Sequence, residues 1–164
     1  MCGDDVFEID LWVWRGPWTV TTAAGNALRI LEVAGLEGVP VALGAARPMA
    51  QEPAFAEFVH GDDGLGNTGQ PRPRGRVTGE SAAAQLVRLA RAEPGALSLL
   101  AIGPLTNLGL ALLLEPELPM LLRQVVVMGG AFATAGNVGP LSEANIGNDP
   151  EAARLVVSAG WPLR

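Results

Sequence analysis

The sequence predicts an α/β fold: an open, mostly parallel, Rossmann-like sheet with crossover helices. Three observations predict it. Short β-prone runs alternate along the chain with segments of helical period. The uncharged stretch from Pro94 to Leu114 is broken by Gly103-Pro104 and Thr106-Asn107, so it divides into strand, turn and helix rather than forming a membrane span. The apolar run Val125-Val126-Val127-Met128 reads as a buried strand, ends at Gly129-Gly130, and leads into a polar loop of about twenty residues without helical period. A polar loop at the C-terminal end of a parallel strand is where open α/β sheets place their ligands.

Taken in order, Phe7 to Trp14 is rich in β-formers and partly alternating, and Gly16-Pro17 breaks it. Trp12, Trp14 and Trp18 read as core and edge packing. Trp18 to Ala23 reads as a second strand ended by Gly25, and Asn26 to Ala34 as a short amphipathic helix closed by Gly35. Pro40 to Leu43 is a short strand. Ala45 to Arg76 is loop-rich and holds His60-Gly61-Asp62-Asp63-Gly64-Leu65-Gly66. Gly64, Gly66 and Gly69 satisfy G-x-G-x-x-G, but no strand leads in and Pro71 and Pro73 follow, so dinucleotide binding is rejected. Asp62-Asp63 before Gly reads as a turn more readily than as a metal site. His60 is the only histidine, and a lone His is more often a surface or packing residue than a site.

Gly79 to Ala92 is a helix with Leu86, Leu89 and Ala90 on one face, stopped by Glu93-Pro94-Gly95. Leu97 to Ile102 is the next strand, Pro104 to Leu114 a helix with a wide apolar stripe, and Leu118 to Arg123 a short helical segment. After the polar loop, Pro150 to Ala159 is a helix with Asp149 as N-cap and Pro150 at its first position.

Composition limits the chemistry. At 164 residues the chain is long enough for one domain with a real core. Its net charge of -6 argues against nucleic-acid or anionic-membrane partners. Every basic residue is Arg, which removes a P-loop lysine, a Schiff-base lysine and a lysine general base together. Cys2 is the single cysteine, so there is no disulfide framework and no CxxC knuckle. A cytoplasmic compartment fits, and the acidic N-terminus gives no secretory signal. Within the polar loop, Asn137, Ser142, Glu143, Asn145, Asn148 and Asp149 could hold a polyol through paired hydrogen bonds; a solvated crossover loop is the equal alternative on spacing alone.

Several ordered blocks then resemble one family. They are His60 to Gly66; Gly103-Pro104-Leu105-Thr106-Asn107-Leu108; Val127-Met128-Gly129-Gly130-Ala131-Phe132; Gly136-Asn137-Val138; Ser142-Glu143-Ala144-Asn145-Ile146; and Asp149-Pro150-Glu151-Ala152-Ala153. Together they resemble the inosine-uridine preferring nucleoside hydrolases. Val20-Thr21-Thr22 with Ala24-Gly25-Asn26 resembles that family's second strand. Residues 1–164 thus look like one partial domain, with 1–18 divergent and 19–164 family-like.

The resemblance implies a nucleoside hydrolase core that hydrolyses the N-glycosidic bond of ribonucleosides to ribose and free base, with a bound calcium ion. An oxocarbenium-like transition state needs the ribose hydroxyls gripped and a water activated on the face opposite the base. By motif position, Asn137, Glu143 and Asn145 correspond to ribose-binding residues, Met128 to a residue lining the ribose, and His60 to a histidine near the base pocket. The main-chain carbonyl of Ile102 corresponds to a calcium ligand. Asn26 is either the substrate asparagine or the first residue of its helix.

The departures matter as much. The family's Asp-rich block, which supplies the general base and two calcium carboxylates, has no full match; Gly3-Asp4-Asp5 is one reading of a remnant, and the better alignment, which sets Glu8-Ile9-Asp10-Leu11 before the second strand, puts the block upstream of Met1. The family's His-Asp pair lies beyond Arg164. Loss of the base alone is worth about 10² to 10⁴ in rate, so the expectation is little or no hydrolase activity from this polypeptide by itself. The catalytic residues are therefore unassigned. The alternatives are a non-catalytic nucleoside- or ribose-binding module and a functionless α/β fragment with an exposed, aggregation-prone edge. The implied partner is a ribonucleoside, and a homo-oligomer stays open.

Overall fold

The computed structural model describes residues 20–52 and 61–161. The expected strand Phe7 to Trp14 and the residue His60 lie outside the described residues. Helix α1 runs Val20–Ala34. The expected strand Trp18 to Ala23, matched to the family's second strand, is therefore corrected: from Val20 onward it is helix. Val20, Thr21 and Thr22 favour strands locally, but Ala23, Ala24, Asn26 and Ala27 bury one helical face, and burial overrides a short run of β-branched residues. Gly25 sits inside the helix, and Asn26 is not its first residue. Gly35 closes it at φ 70°. Leu36 N–H donates to Leu31 O and Gly35 N–H to Glu32 O, the paired C-terminal bonds that a left-handed glycine permits.

The expected strand Pro40 to Leu43 is reduced to one parallel bridge, Leu43 to Ser81. Thr78 N–H donates to Val41 O and Ala82 N–H to Leu43 O, and the ladder goes no further because Ser81 begins a helix. Helix α2 is Ala82–Ala92, capped by the Ser81 hydroxyl on Ala84 N–H at 3.2 Å, so it starts three residues after the expected Gly79. Its buried face is Ala83, Leu86, Val87 and Ala90.

Strand β1 is Ser98–Ala101, helix α3 Thr106–Leu114, helix α4 Leu118–Leu121 and strand β2 Gln124–Val127. The two strands pair in parallel, with Ser98 opposite Gln124 and Ala101 opposite Val127. Parallel neighbours need such a crossover, which α3 and α4 supply. Leu99 and Ala101 point into a helical layer in which α2 packs on α3 and α4, and α3 packs on the last helix. Leu99, Leu105, Leu108 and Leu118 are fully buried; each stabilises the fold by about 1.5–3 kcal/mol relative to exposure.

Strand β2 is not the buried strand that its apolar run suggested. Val126 is 50% exposed and Met128 53% on one face, and Val127, opposite Ala101 on the other, is 38% exposed, so among the described residues β2 is incompletely covered on both faces. Beyond β2, the polar segment is not free of helix: Ala144–Asn148 forms the short helix α5. Helix α6 then runs Pro150–Val157, two residues shorter than expected, with Asp149 capping it as read. None of the described helices is long and apolar enough to cross a membrane.

Candidate functional site

Residues 129–149 form an arm that leaves the C-terminal end of β2 and folds back over it. Glycine makes the return possible: a Cβ on Gly136 would stand 1.9 Å from the Ser142 carbonyl oxygen. Val138 N–H donates to Ser142 O at 3.1 Å, and Asn137 Oδ1 accepts from Ala144 N–H at 2.8 Å. Asn137 therefore fixes the entry to α5 while remaining exposed.

Glu143 is the centre of the arm. Its Oε1 accepts from Asn145 N–H at 2.9 Å, and its Oε2 from Gly130 N–H at 2.9 Å and Ile146 N–H at 3.2 Å. It is thus a helix cap of unusual reach, tying α5 to the glycine turn after β2. Only 9% of it is exposed.

Asn145 ties the arm to both strand ends. Its Nδ2 donates to Ile102 O at 3.1 Å and Met128 O at 2.9 Å, and also approaches Met128 Sδ at 3.1 Å. Four of the residues singled out in the sequence therefore meet at one place, Glu143, Asn145, Met128 and the Ile102 carbonyl, while Asn137 stands at the entry to α5. Of these, Glu143 lines an open cleft of about 420 Å³, together with Gly129, Gly130, Phe132, Leu141 and Ile146. Phe132 and Leu141 are exposed apolar groups there, suited to a flat ring, while amide and carboxylate oxygens suit hydroxyls.

Asn26 has other bonds. It is 1% exposed in the middle of α1, donates through Nδ2 to Asp63 O at 2.9 Å, and accepts from Arg29 at Oδ1. The G-x-G-x-x-G segment is a turn, with Gly64, Gly66 and Gly69 all at positive φ. Asp63 organises it, accepting from Leu65, Asn67 and Gly69 N–H. Burial pushes the Asp63 carboxyl up, but the surrounding N–H groups outweigh it and hold the pKa below its ordinary value.

Residues 11–164 match the family model described as inosine-uridine preferring nucleoside hydrolase. The chain belongs to that family. It is 47% identical over 146 residues to a probable uridine nucleosidase 1 of Oryza sativa subsp. japonica, covering 88% of this chain and 45% of that protein. The structure of a plant nucleoside hydrolase, PpNRh1, superposes with a TM-score of 0.86 at 37% identity, covering 96% of this chain and 48% of the other. A purine-preferring ribonucleoside hydrolase from Gardnerella vaginalis gives a TM-score of 0.84 at 30% identity, covering 88% and 47%. The chain spans about half the length of the relatives it matches. The superpositions support the α/β class.

The calcium implied for this family does not fit the described residues alone. Calcium takes about six to eight oxygen ligands, several of them carboxylates. Here two strand-end carbonyls converge, both already engaged by the Asn145 amide, and no group of three or more His, Cys, Asp or Glu suited to a metal occurs among the described residues.

Some parts of the site were not legible from residue type. The Gly130 N–H that meets Glu143 has no side-chain signal. Thr106, Asn107 and Gln51 bind the arm's neighbourhood by contacts of long sequence separation, of which only Thr106-Asn107 lay within a recognised motif.

Proposed function

We propose that the arm grips the ribose of a ribonucleoside, and that the chain is the ribose-holding part of a nucleoside hydrolase. The observation that carries this reading is the convergence of Glu143 and Asn145 on the ends of β1 and β2 beside an open cleft that Glu143 lines, with Asn137 holding the entry to α5. Ribose hydroxyls are donors and acceptors at fixed spacing. Amide Oδ1 and the remaining carboxylate lone pairs accept from hydroxyls. The exposed Phe132 beside the cleft suits stacking of a base.

Hydrolysis also needs a group that takes a proton from water. Glu143 has both oxygens on backbone N–H groups, which suits holding a shape and accepting a hydroxyl hydrogen. Among the described residues lining the cleft no other ionisable group stands ready to take that proton, so binding without turnover is the behaviour expected of the chain by itself. Calcium is given no step here, because the described residues do not complete its ligand set.

Calorimetric titration of the folded chain with ribose and with inosine tests the reading. Saturable binding to both, lost in Asn145→Ala, is expected, together with no ribose release from inosine above a protein-free control. A folded chain that takes up neither ligand contradicts the ribose site; ribose release contradicts the claim of binding without turnover.

A further inference from the structure

Asp149 is fully buried, and capping α6 does not account for it. One oxygen suffices for the cap: Oδ1 accepts from Ala152 N–H at 3.0 Å. A serine could do that. The second oxygen, Oδ2, accepts from Met49 N–H at 2.9 Å and from the Thr106 hydroxyl at 2.6 Å. A buried carboxylate is costly unless its oxygens are satisfied, so its use over a smaller cap points to the second set of bonds.

Those bonds hold a strap, residues 44–51, across the ends of α3 and α5. Ala45 N–H donates to Asn107 Oδ1 at 2.8 Å, and a Cβ on Gly44 would stand 2.5 Å from Asn107 Nδ2. Met49 packs its side chain against the core, where Cε lies 2.6 Å from a Cβ built on Gly109. Gln51 Nε2 donates to Gly147 O at 3.0 Å and to Asn148 O. Thr106 and Asn107 are each 1% exposed.

The strap therefore clasps the C-terminal end of α5. That helix has five residues and is too short to persist on its own. Its N-terminal end is held by Glu143, and its other end by Gln51 and by Asp149, which is both its last boundary and the cap of α6. We propose that Asp149, with Thr106 and Asn107, is a positioning residue that locks the strap onto α5 and so keeps Glu143 and Asn145 in their site geometry. The choice of ligand rests on the ribose reading; the clasp does not.

Three variants separate a clasp from a cap. Asp149→Ser keeps a capping oxygen for Ala152 but cannot also reach Met49 and Thr106. Thr106→Val removes the hydroxyl at nearly constant shape, and Thr106→Ser restores it. Amide exchange is measured on the full chain for Ile146 and Gly147, beside Leu99 as a core reference, and ribose affinity is measured by calorimetry well below the unfolding transition. Asp149→Ser and Thr106→Val should speed exchange at Ile146 and Gly147 by about tenfold or more, with Leu99 unchanged and ribose affinity falling in parallel. Thr106→Ser should behave as wild type. Should either of the first two unfold the chain, Gln51→Ala, an exposed position, gives the same local readout. Wild-type exchange at Ile146 and Gly147 in Asp149→Ser, or in Gln51→Ala where that variant is needed, would overturn the clasp. Leu118→Val, a core truncation beyond the far end of α3, should leave α5 exchange unchanged relative to Leu99; faster α5 exchange there would make the effect one of general stability and also overturn it. If the wild type takes no ribose, the ribose reading fails while the exchange data still decide the clasp.

Discussion

Asn145 shows how one side chain can join three segments. Its amide hydrogens meet carbonyls from the ends of both strands, and its backbone N–H is held by Glu143. In Asn145→Asp a carboxylate oxygen would face Ile102 O and Met128 O, with no hydrogen between. Urea unfolding should show a loss of about 1–3 kcal/mol, with Asn145→Ala at the lower end. Glu143→Ala leaves the N–H groups of Gly130, Asn145 and Ile146 without their acceptor, and an unfolding loss of about 1–2 kcal/mol is expected. Since that change also loosens α5, loss of ribose binding in Glu143→Ala does not by itself prove contact with the sugar; Asn145→Ala with α5 exchange intact does. The residue types of the candidate site stand out in the sequence because amides and a carboxylate cluster between glycines. The cap was not: a glutamate reaching Gly130 N–H across the arm depends on a fold-back that no local pattern encodes.

Among the elements, those with strong punctuation match their expected positions. Glu93-Pro94-Gly95 ends α2, Gly35 ends α1, and Asp149-Pro150 starts α6. The errors lie where a short β-prone run was judged without its tertiary neighbours. Val20 to Ala23 joins a helix whose small residues are buried, and Pro40 to Leu43 makes only one bridge beside Ser81. The strap was unreadable because its key bond joins residues a hundred apart, Met49 and Asp149. Close helix packing yields its own prediction. A Cβ on Gly109 of α3 would stand 3.2 Å from the Cβ of Ala152 and 3.4 Å from its Cα, on α6, besides meeting Met49. Gly109→Ala should therefore cost about 1–3 kcal/mol in denaturant unfolding despite alanine's better helix propensity. An equal or higher stability would mean that α3 and α6 can part without loss.

Among the described residues, the helical layer buries Leu99 and Ala101 of β1, while β2 stays in part exposed on both faces, at Val126 and Met128 on one and Val127 on the other. The fold class was legible from alternation; the coverage of β2 was not, since an apolar run reports only that a strand can be buried. Acid stability is a property of the whole fold. The Glu115 carboxyl is held below its ordinary 4.5 by the N–H of Glu117 and then by Arg91, which approaches it at 2.5 Å. Glu80 is likewise held down by Arg88. A carboxyl whose folded value is depressed contributes its stability above the unfolded value and loses it as pH falls through the folded value. The melting temperature should therefore fall as the pH drops below about 4.5, and Glu115→Gln should flatten that fall while lowering the plateau above it. A profile with the same acid slope in Glu115→Gln would remove this carboxyl from the acid response.

The most direct test follows ribose into the folded chain by NMR, on the side-chain amides of Asn137 and Asn145 and the backbone amides of Gly130, Asn145 and Ile146. Saturable shifts centred on these groups, with α2 and the Asp63 turn unmoved, are the predicted result. A folded spectrum that ribose leaves unchanged, or shifts that gather around Asn26 and Asp63 instead, would contradict a ribose site built by the arm.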